Sequence, residues 1–63
     1  MKYKELTKRL RAYGWFLKRQ GSNHEIWSNG QITEPVPRHR EIRDLLAQHI
    51  LKVAGECPRK ENL

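Results

Sequence analysis

The chain has 63 residues, enough for one small domain that buries only about 60% of the surface its unfolded chain would expose. Its 13 Lys and Arg residues exceed its 7 Asp and Glu residues, and the net charge of +6 favours an anionic partner such as nucleic acid, with an unliganded, solvated basic surface as the alternative. It has no apolar run of the roughly 18 residues that a membrane helix needs, and its first residues are charged where a secretory signal is apolar, so we expect a cytoplasmic protein with no membrane partner. Cys57 is the single cysteine, which excludes an internal disulfide and predicts a surface thiol.

The first predicted element is a helix in the segment "YKELTKRLRAY". Its large apolar residues recur at steps of three and four, the spacing that places side chains on one side of a helix. They are Tyr3, Leu6, Leu10 and Tyr13. Gly14 follows as a residue suited to cap the carboxyl end, so the helix is predicted to end there.

Three strands are predicted next, in the segments "WFLKRQ", "HEIW" and "QITEPV". Gly21, Ser22 and Asn23 form the loop between the first two, and the Asn29-Gly30 pair favours a tight hairpin turn between the second and third. Pro35 lacks the N–H that a ladder hydrogen bond requires, which predicts that its part of the third strand lies at an edge or at a frayed end.

After residue 40 the spacing of apolar residues returns to that of a helix, which Gly55 is predicted to end. One broad stripe contains Ile42, Leu45, Leu46, His49, Ile50 and Val53. The order helix, strand, strand, strand, helix predicts an α+β fold in which both helices cover one face of a three-stranded antiparallel sheet and leave the other face open. Residues 1–55 are predicted to form this domain, and residues 56–63 a loose polar tail.

Two of the three histidines have contexts that lead to different expectations. His49 lies within the apolar stripe of the second helix, which is typical of a partly buried core or interface residue. His39 stands between Arg38 and Arg40 just before that helix, where the three side chains and a helix N-terminus would grip a phosphate. A solvated turn is the alternative for these three residues.

His24 has the most informative neighbours, because a turn of small hydrogen-bonding residues precedes it and basic residues lie on the preceding strand. Alternation along "HEIW" groups His24 with Ile26 and Glu25 with Trp27, but it does not say which pair faces the core. The pattern therefore leaves His24 open as a core residue or a catalyst.

Metal and serine chemistry have weak support in the sequence. His24 and His39 are the pair that could meet across the sheet, but no local His or Cys pair has the spacing of a zinc site, so no metal is expected. Ser22 and Ser28 lack the glycine-flanked context of a nucleophile, and no acid partner is evident.

Taken together, several short motifs in this chain resemble those of one protein family. "GWFLKRQGSNHEIW" followed by "VPRHREIRDLLAQHILKVAG" is similar to the HicA toxins, with a helix closing in Gly-Trp, a basic strand, a Gly-Ser turn with histidine, a Pro-x-His stretch and a helix ending in Ile-Leu-Lys-x-Ala-Gly. The resemblance runs from about Tyr3 to Gly55. Many members carry a histidine at the position of Asn23, whereas this chain keeps only His24 in the turn.

The resemblance implies a fold like that of a double-stranded-RNA-binding domain and the activity of a bacterial type II toxin, an endoribonuclease that cleaves mRNA without a metal or other cofactor. It assigns the catalytic role to His24. It also implies that a HicB-type antitoxin neutralises the toxin. Operator DNA would be contacted only indirectly, through the toxin–antitoxin complex. The residues expected to contact RNA are Lys18, Arg19, Ser22, Asn23, Arg38, His39 and Arg40.

Two other functions are compatible with the residues. A non-catalytic RNA-binding module would use the same architecture to read backbone shape and 2′-hydroxyl groups. A protein-interaction domain would use the basic face for an acidic partner, with Trp15 and Trp27 as anchors.

Overall fold

The computed structural model describes residues 1–59 and has the predicted order of elements. The elements are helix α1 (Tyr3–Ala12), strands β1 (Phe16–Gln20), β2 (His24–Ser28) and β3 (Thr33–Pro37), and helix α2 (Asp44–Glu56). Within the described residues, neither helix has the length and apolar character needed to cross a membrane.

Helix α1 ends as the sequence predicts. Gly14 has a φ of +84°, a left-handed conformation that costs glycine little and other residues much more. Its N–H donates to the Arg11 carbonyl at 2.9 Å, and the Trp15 N–H donates to the Leu10 carbonyl at 3.0 Å. These two bonds form a Schellman motif, which closes the helix and turns the chain into β1.

The sheet is antiparallel with the order β1-β2-β3, so β3 lies at an edge, where Pro35 was predicted to lie. The pairing of β1 with β2 is irregular between Leu17 and Arg19, because Leu17 is opposite Trp27 while Arg19 is opposite Ile26. Neighbouring residues of β2 point to opposite faces. The bulge therefore places Leu17 on one face of the sheet and Arg19 on the other.

The connection from β2 to β3 is longer than a two-residue hairpin, since Ser28 pairs with Thr33 and residues 29–32 form the loop. The Asn29 side-chain oxygen accepts the N–H groups of Gln31 and Ile32, both at 2.8 Å. The Asn29 N–H also donates to the Ile32 carbonyl at 3.3 Å, so the asparagine side chain replaces only the backbone carbonyl that would accept the Ile32 N–H in a tight turn. Gly30 takes a φ of +98° within it.

Both helices cover the same face of the sheet, as predicted. The two helices contribute Leu6, Leu10, Ala47, Ile50 and Ala54 to one hydrophobic core, and the strands and connections contribute Trp15, Trp27, Val36 and Ile42. The opposite face of the sheet is not covered by either helix.

Helix α2 differs from the predicted stripe. It begins at Asp44, so Ile42 is buried but precedes the helix, and Gly55 lies inside the helix, which ends at Glu56. Leu45 is 83% exposed, and the face that packs inward is formed by Ala47, Ile50 and Ala54. The sequence prediction used the largest apolar residues to define the inward face. In the structure the small alanines lie on that face, where they allow the helix backbone to approach its neighbours.

The predicted loose tail is attached over its first residues. The Cys57 carbonyl accepts hydrogen bonds from the Trp15 indole N–H at 3.0 Å and from the Asn29 side-chain amide at 2.8 Å. The Arg59 N–H donates to the Tyr13 carbonyl at 3.0 Å. The thiol of Cys57 is free and exposed, as expected. Residues 60–63 of the predicted tail lie outside the described residues, and a domain boundary at residue 55 stays a prediction.

Candidate active site and nucleic-acid interface

The structure decides which residues of β2 face the core. Glu25 and Trp27 are buried on the helix side, at 5% and 0% exposure, so His24 and Ile26 point to the open face. His24 is the first residue of β2, is exposed, and pairs with Pro37 of β3. An exposed imidazole at the end of an open sheet is accessible to a large substrate, and the core-residue interpretation of His24 is wrong.

The turn before His24 is tightly closed. The Gly21 N–H donates to the His24 carbonyl at 2.7 Å, and a Cβ atom at Gly21 would lie 2.9 Å from that same oxygen. Any larger residue would push the His24 backbone away, so the turn requires glycine here because of a close backbone approach.

Arg38 joins this turn to the end of β3. Its backbone N–H donates to the Asn23 carbonyl at 3.2 Å, and its guanidinium Nη1 donates to the Gly21 carbonyl at 3.3 Å. Arg38 is exposed, so its remaining guanidinium donors are available beside His24. The first and last residues of the turn are thus held by one basic side chain and its backbone.

The two basic residues of β1 lie on the open face. Lys18 and Arg19 are exposed and line a shallow depression of about 380 Å³ together with Ile26 and Thr33. Arg19 is opposite Ile26, two residues along β2 from His24, which makes Arg19 a diagonal neighbour of the histidine at about 7–8 Å across the ladder. Long side chains reach across such a diagonal, and the open face therefore combines positive charge with one imidazole.

Arg38, His39 and Arg40 do not lie at the N-terminus of a helix, because α2 begins only at Asp44. The prediction of a phosphate grip assisted by that helix is wrong in this respect. Instead the three residues line a cavity of about 230 Å³ with Tyr3 and Glu25. The Tyr3 N–H donates to the Arg40 carbonyl at 3.0 Å, which holds this segment against the start of α1.

The sequence interpretation missed the role of Glu25. Its Oε1 atom accepts the Trp27 indole N–H at 3.0 Å and the Tyr3 hydroxyl. Burial, followed by the hydrogen bond to the Glu25 carboxylate, raises the pKa of Tyr3 to about 12. The alternation that groups Glu25 with Trp27 allows Glu25 to face the core but does not identify the donors that a buried carboxylate needs.

His49 is not a core residue. Its side chain is 62% exposed, and its Nε2 atom lies 3.4 Å from Glu34 Oε1 on β3. The expectation that it would be partly buried is wrong, because the inward face of α2 passes through Ala47 and Ile50 instead.

The remaining predicted site residues, Ser22 and Asn23, are exposed in the turn. Within residues 1–59, no hydrogen bond joins either side chain to His24. No group of three or more His, Cys, Asp or Glu side chains that could hold a metal ion occurs in this part of the chain.

The order of elements and the open antiparallel sheet define the class of protein: a small α+β domain of one helix, three strands and a second helix, the order of a double-stranded-RNA-binding domain. The family model described as "HicA toxin of bacterial toxin-antitoxin" matches residues 3–56, and the chain belongs to this family. Family membership makes it a toxin of a toxin–antitoxin pair, with an antitoxin as its partner. No curated protein and no solved structure matches the chain significantly.

Proposed function

We propose that this protein is a metal-independent endoribonuclease that cleaves mRNA, with His24 as its catalytic residue. The observation that carries the proposal is the position of His24, exposed at the end of the open sheet face beside basic side chains. The membership of the chain in a toxin family supports an activity that harms the cell when no antitoxin is present.

RNA supplies its own nucleophile. In the proposed reaction the ribose 2′-oxygen attacks the neighbouring phosphorus, the bond from phosphorus to the 5′-oxygen breaks, and the products are a 2′,3′-cyclic phosphate and a 5′-hydroxyl. His24 accepts the proton of the 2′-hydroxyl or donates one to the leaving 5′-oxygen. A positioned general acid or base of this kind accelerates a reaction by about 10²- to 10⁴-fold.

Basic side chains would hold the substrate and stabilise the charge that develops on the scissile phosphate. Lys18 and Arg19 would contact phosphates on the open face, and Arg38 and Arg40 would contact those at the turn. His39 would lie beside these phosphates, and Ser22 and Asn23 would orient the substrate next to the imidazole. Each of these residues is exposed.

The antitoxin would act on the same surface. We propose a HicB-type partner that covers His24 and the surrounding basic residues, so that RNA and inhibitor exclude one another. The net charge of +6 favours an acidic contact surface on that partner. Operator DNA would be bound only by the complex, through the antitoxin.

A cleavage assay on a long single-stranded transcript, with EDTA present, tests the proposal. We expect fragments that end in a cyclic phosphate, and we expect an added HicB-type antitoxin to stop their formation. An intact transcript with a gel shift would identify an RNA-binding module instead. An intact transcript with no shift would favour a domain that binds only protein.

A further inference from the structure

The cavity lined by Tyr3, Glu25, Arg38, His39 and Arg40 is bordered by a carboxylate with one oxygen that accepts no hydrogen bond from the described residues. Glu25 is only 5% exposed, and both of its hydrogen bonds, from Trp27 and Tyr3, end on Oε1. Every fully buried side-chain nitrogen or oxygen in residues 1–59 has a partner. Since Oε2 has none there, it is not fully buried, and because Glu25 lines the cavity, this oxygen is the hydrogen-bond acceptor that Glu25 can offer to a ligand there.

The charges around this oxygen restrict what a ligand can be. Arg38 and Arg40 line the cavity and attract anions, whereas the Glu25 carboxylate requires a hydrogen-bond donor. A ligand that suits the arginines and the carboxylate needs a negatively charged group at the mouth of the cavity and an N–H group that reaches Glu25. A nucleotide has both, in its phosphate and in the amino group of its base.

The size of the cavity fits one planar group. Its volume of about 230 Å³ is below the roughly 300–1,000 Å³ of pockets that enclose drug-sized ligands. Tyr3, which donates its hydroxyl to the Glu25 carboxylate, forms part of the wall. A single base can enter while its ribose and phosphate stay at the opening.

The cavity lies next to the proposed site of cleavage. Glu25 follows His24 directly in β2, but it points to the helix side of the sheet. Arg38 lines the cavity and also donates to the Gly21 carbonyl of the turn that holds His24. An RNA strand that crosses this end of the sheet can therefore present a phosphate to the turn and an adjacent base to the cavity.

We infer that this cavity is a base-recognition pocket that selects RNA nucleotides with an exocyclic amino group, through Glu25 Oε2, at a position next to the scissile phosphate. The inference rests on the proposed function for its substrate class. Adenine, cytosine and guanine offer the amino group. Uracil offers one N–H between two carbonyl oxygens, which a carboxylate repels, and so it is disfavoured.

Binding measurements on the His24→Ala protein test the pocket separately from cleavage. We expect short labelled oligoadenylate and oligocytidylate to bind about tenfold or more tightly than oligouridylate, because hydrogen bonds to charged groups contribute more than neutral ones. Replacing adenosine by purine riboside, which lacks only the amino group, should remove the advantage. Equal affinity for all of these oligomers, or no binding to any, would overturn the inference.

Glu25→Gln examines the same contact from the protein side. The glutamine oxygen can still accept the Tyr3 and Trp27 donors, while its NH₂ group replaces the acceptor at Oε2, so the preference for adenylate over uridylate should fall at least tenfold. Glu34→Gln is the matched control, since Glu34 loses the same charge from the neighbouring strand and does not line the cavity. An unchanged preference in Glu25→Gln, or an equal loss in Glu34→Gln, would contradict the inference. If wild-type protein cleaves no RNA but these preferences hold, the pocket stands and the proposed catalysis fails.

Discussion

At the scale of single residues, the site depends on a backbone contact more than on side-chain partners of the histidine. Gly21 closes on His24 through a hydrogen bond of 2.7 Å between its N–H and the histidine carbonyl. The imidazole itself is exposed. Its position is therefore determined by the turn and by the pairing of β2 with β3, both of which are backbone features.

Gly21→Ala should impair cleavage without unfolding the protein. The added Cβ would lie 2.9 Å from the His24 carbonyl oxygen, so the backbone of the turn must shift, and a displacement of about 1 Å can cost on the order of 10²-fold in rate. The measurement is the single-turnover cleavage rate, with circular dichroism as the check on folding. Gly55→Ala is the control, because the nearest atoms to its Cβ belong to the Tyr13 side chain, with the hydroxyl at an ordinary contact distance of 3.4 Å. Full activity of Gly21→Ala would show that the turn does not position His24.

The Tyr3 hydroxyl makes the free energy of unfolding depend on pH in the alkaline range. Burial and the Glu25 carboxylate raise the pKa of Tyr3 from 10.0 to about 12, so the folded state holds the proton more tightly than the unfolded state. The resulting stabilisation is complete below pH 10 and is lost as the pH rises towards 12. The free energy of unfolding of wild type should therefore decline more steeply over this range than that of Tyr3→Phe. Parallel curves for the two proteins would contradict this.

The sequence identifies the residues of the turn and of β2, but it does not show which residues of β2 face the core. Alternation in "HEIW" allows His24 or Glu25 to face the core, and the cost of burying a carboxylate favours the histidine unless donors are known to be present. Tyr3 and Trp27 supply those donors. The first of them is 22 residues away in the chain, so this compensation could not be inferred from local pattern.

At the scale of elements, local signals were sufficient for most of the fold. Gly14 ended α1 and Pro35 marked the edge strand, because each acts through its own backbone geometry. The face of α2 was not predictable in the same way. Ala47 and Ala54 are buried while Leu45 is exposed, an outcome that depends on how closely the helix packs against its neighbours.

A pair of substitutions in α2 tests this orientation. Ile50 is fully buried, so Ile50→Ala should lower the free energy of unfolding by about 2–5 kcal/mol. Leu45→Ala removes a similar volume from a side chain that is 83% exposed and should change it by less than about 0.5 kcal/mol. Urea denaturation measures both. Large losses for both variants would mean that the helix packs on the predicted stripe, which contains both residues.

At the scale of the whole molecule, the proposed function uses positive charge concentrated on a very small domain. If RNA is the substrate, as proposed, the net charge of +6 on 63 residues attracts it irrespective of its sequence, and binding releases the counterions of the phosphates. Base contacts then discriminate between sites. In this proposal the basic surface that binds RNA also offers the antitoxin an electrostatic target.

The salt dependence of RNA affinity measures this contribution. Each phosphate contacted on a single strand contributes a slope of about −0.7 in log K against log salt concentration, so contacts by Lys18, Arg19, Arg38 and Arg40 predict a total slope of about −3. Fluorescence anisotropy of His24→Ala with a labelled oligomer gives the slope. Arg19→Ala should reduce its magnitude by about 0.7. An affinity independent of salt would exclude phosphate contacts by these residues.

The proposed role of His24 in RNA cleavage is measured most directly by the cleavage rate of His24→Ala in the presence of EDTA, compared with wild type and His49→Ala. His49 is a matched control because its side chain is 62% exposed and its ion pair within residues 1–59 is with Glu34 at 3.4 Å, and an ion pair with so exposed a partner contributes little to stability. We predict that His24→Ala binds RNA and folds normally but loses about 10²-fold or more of the rate, while His49→Ala cleaves like wild type. Wild-type rates in His24→Ala would contradict the assignment.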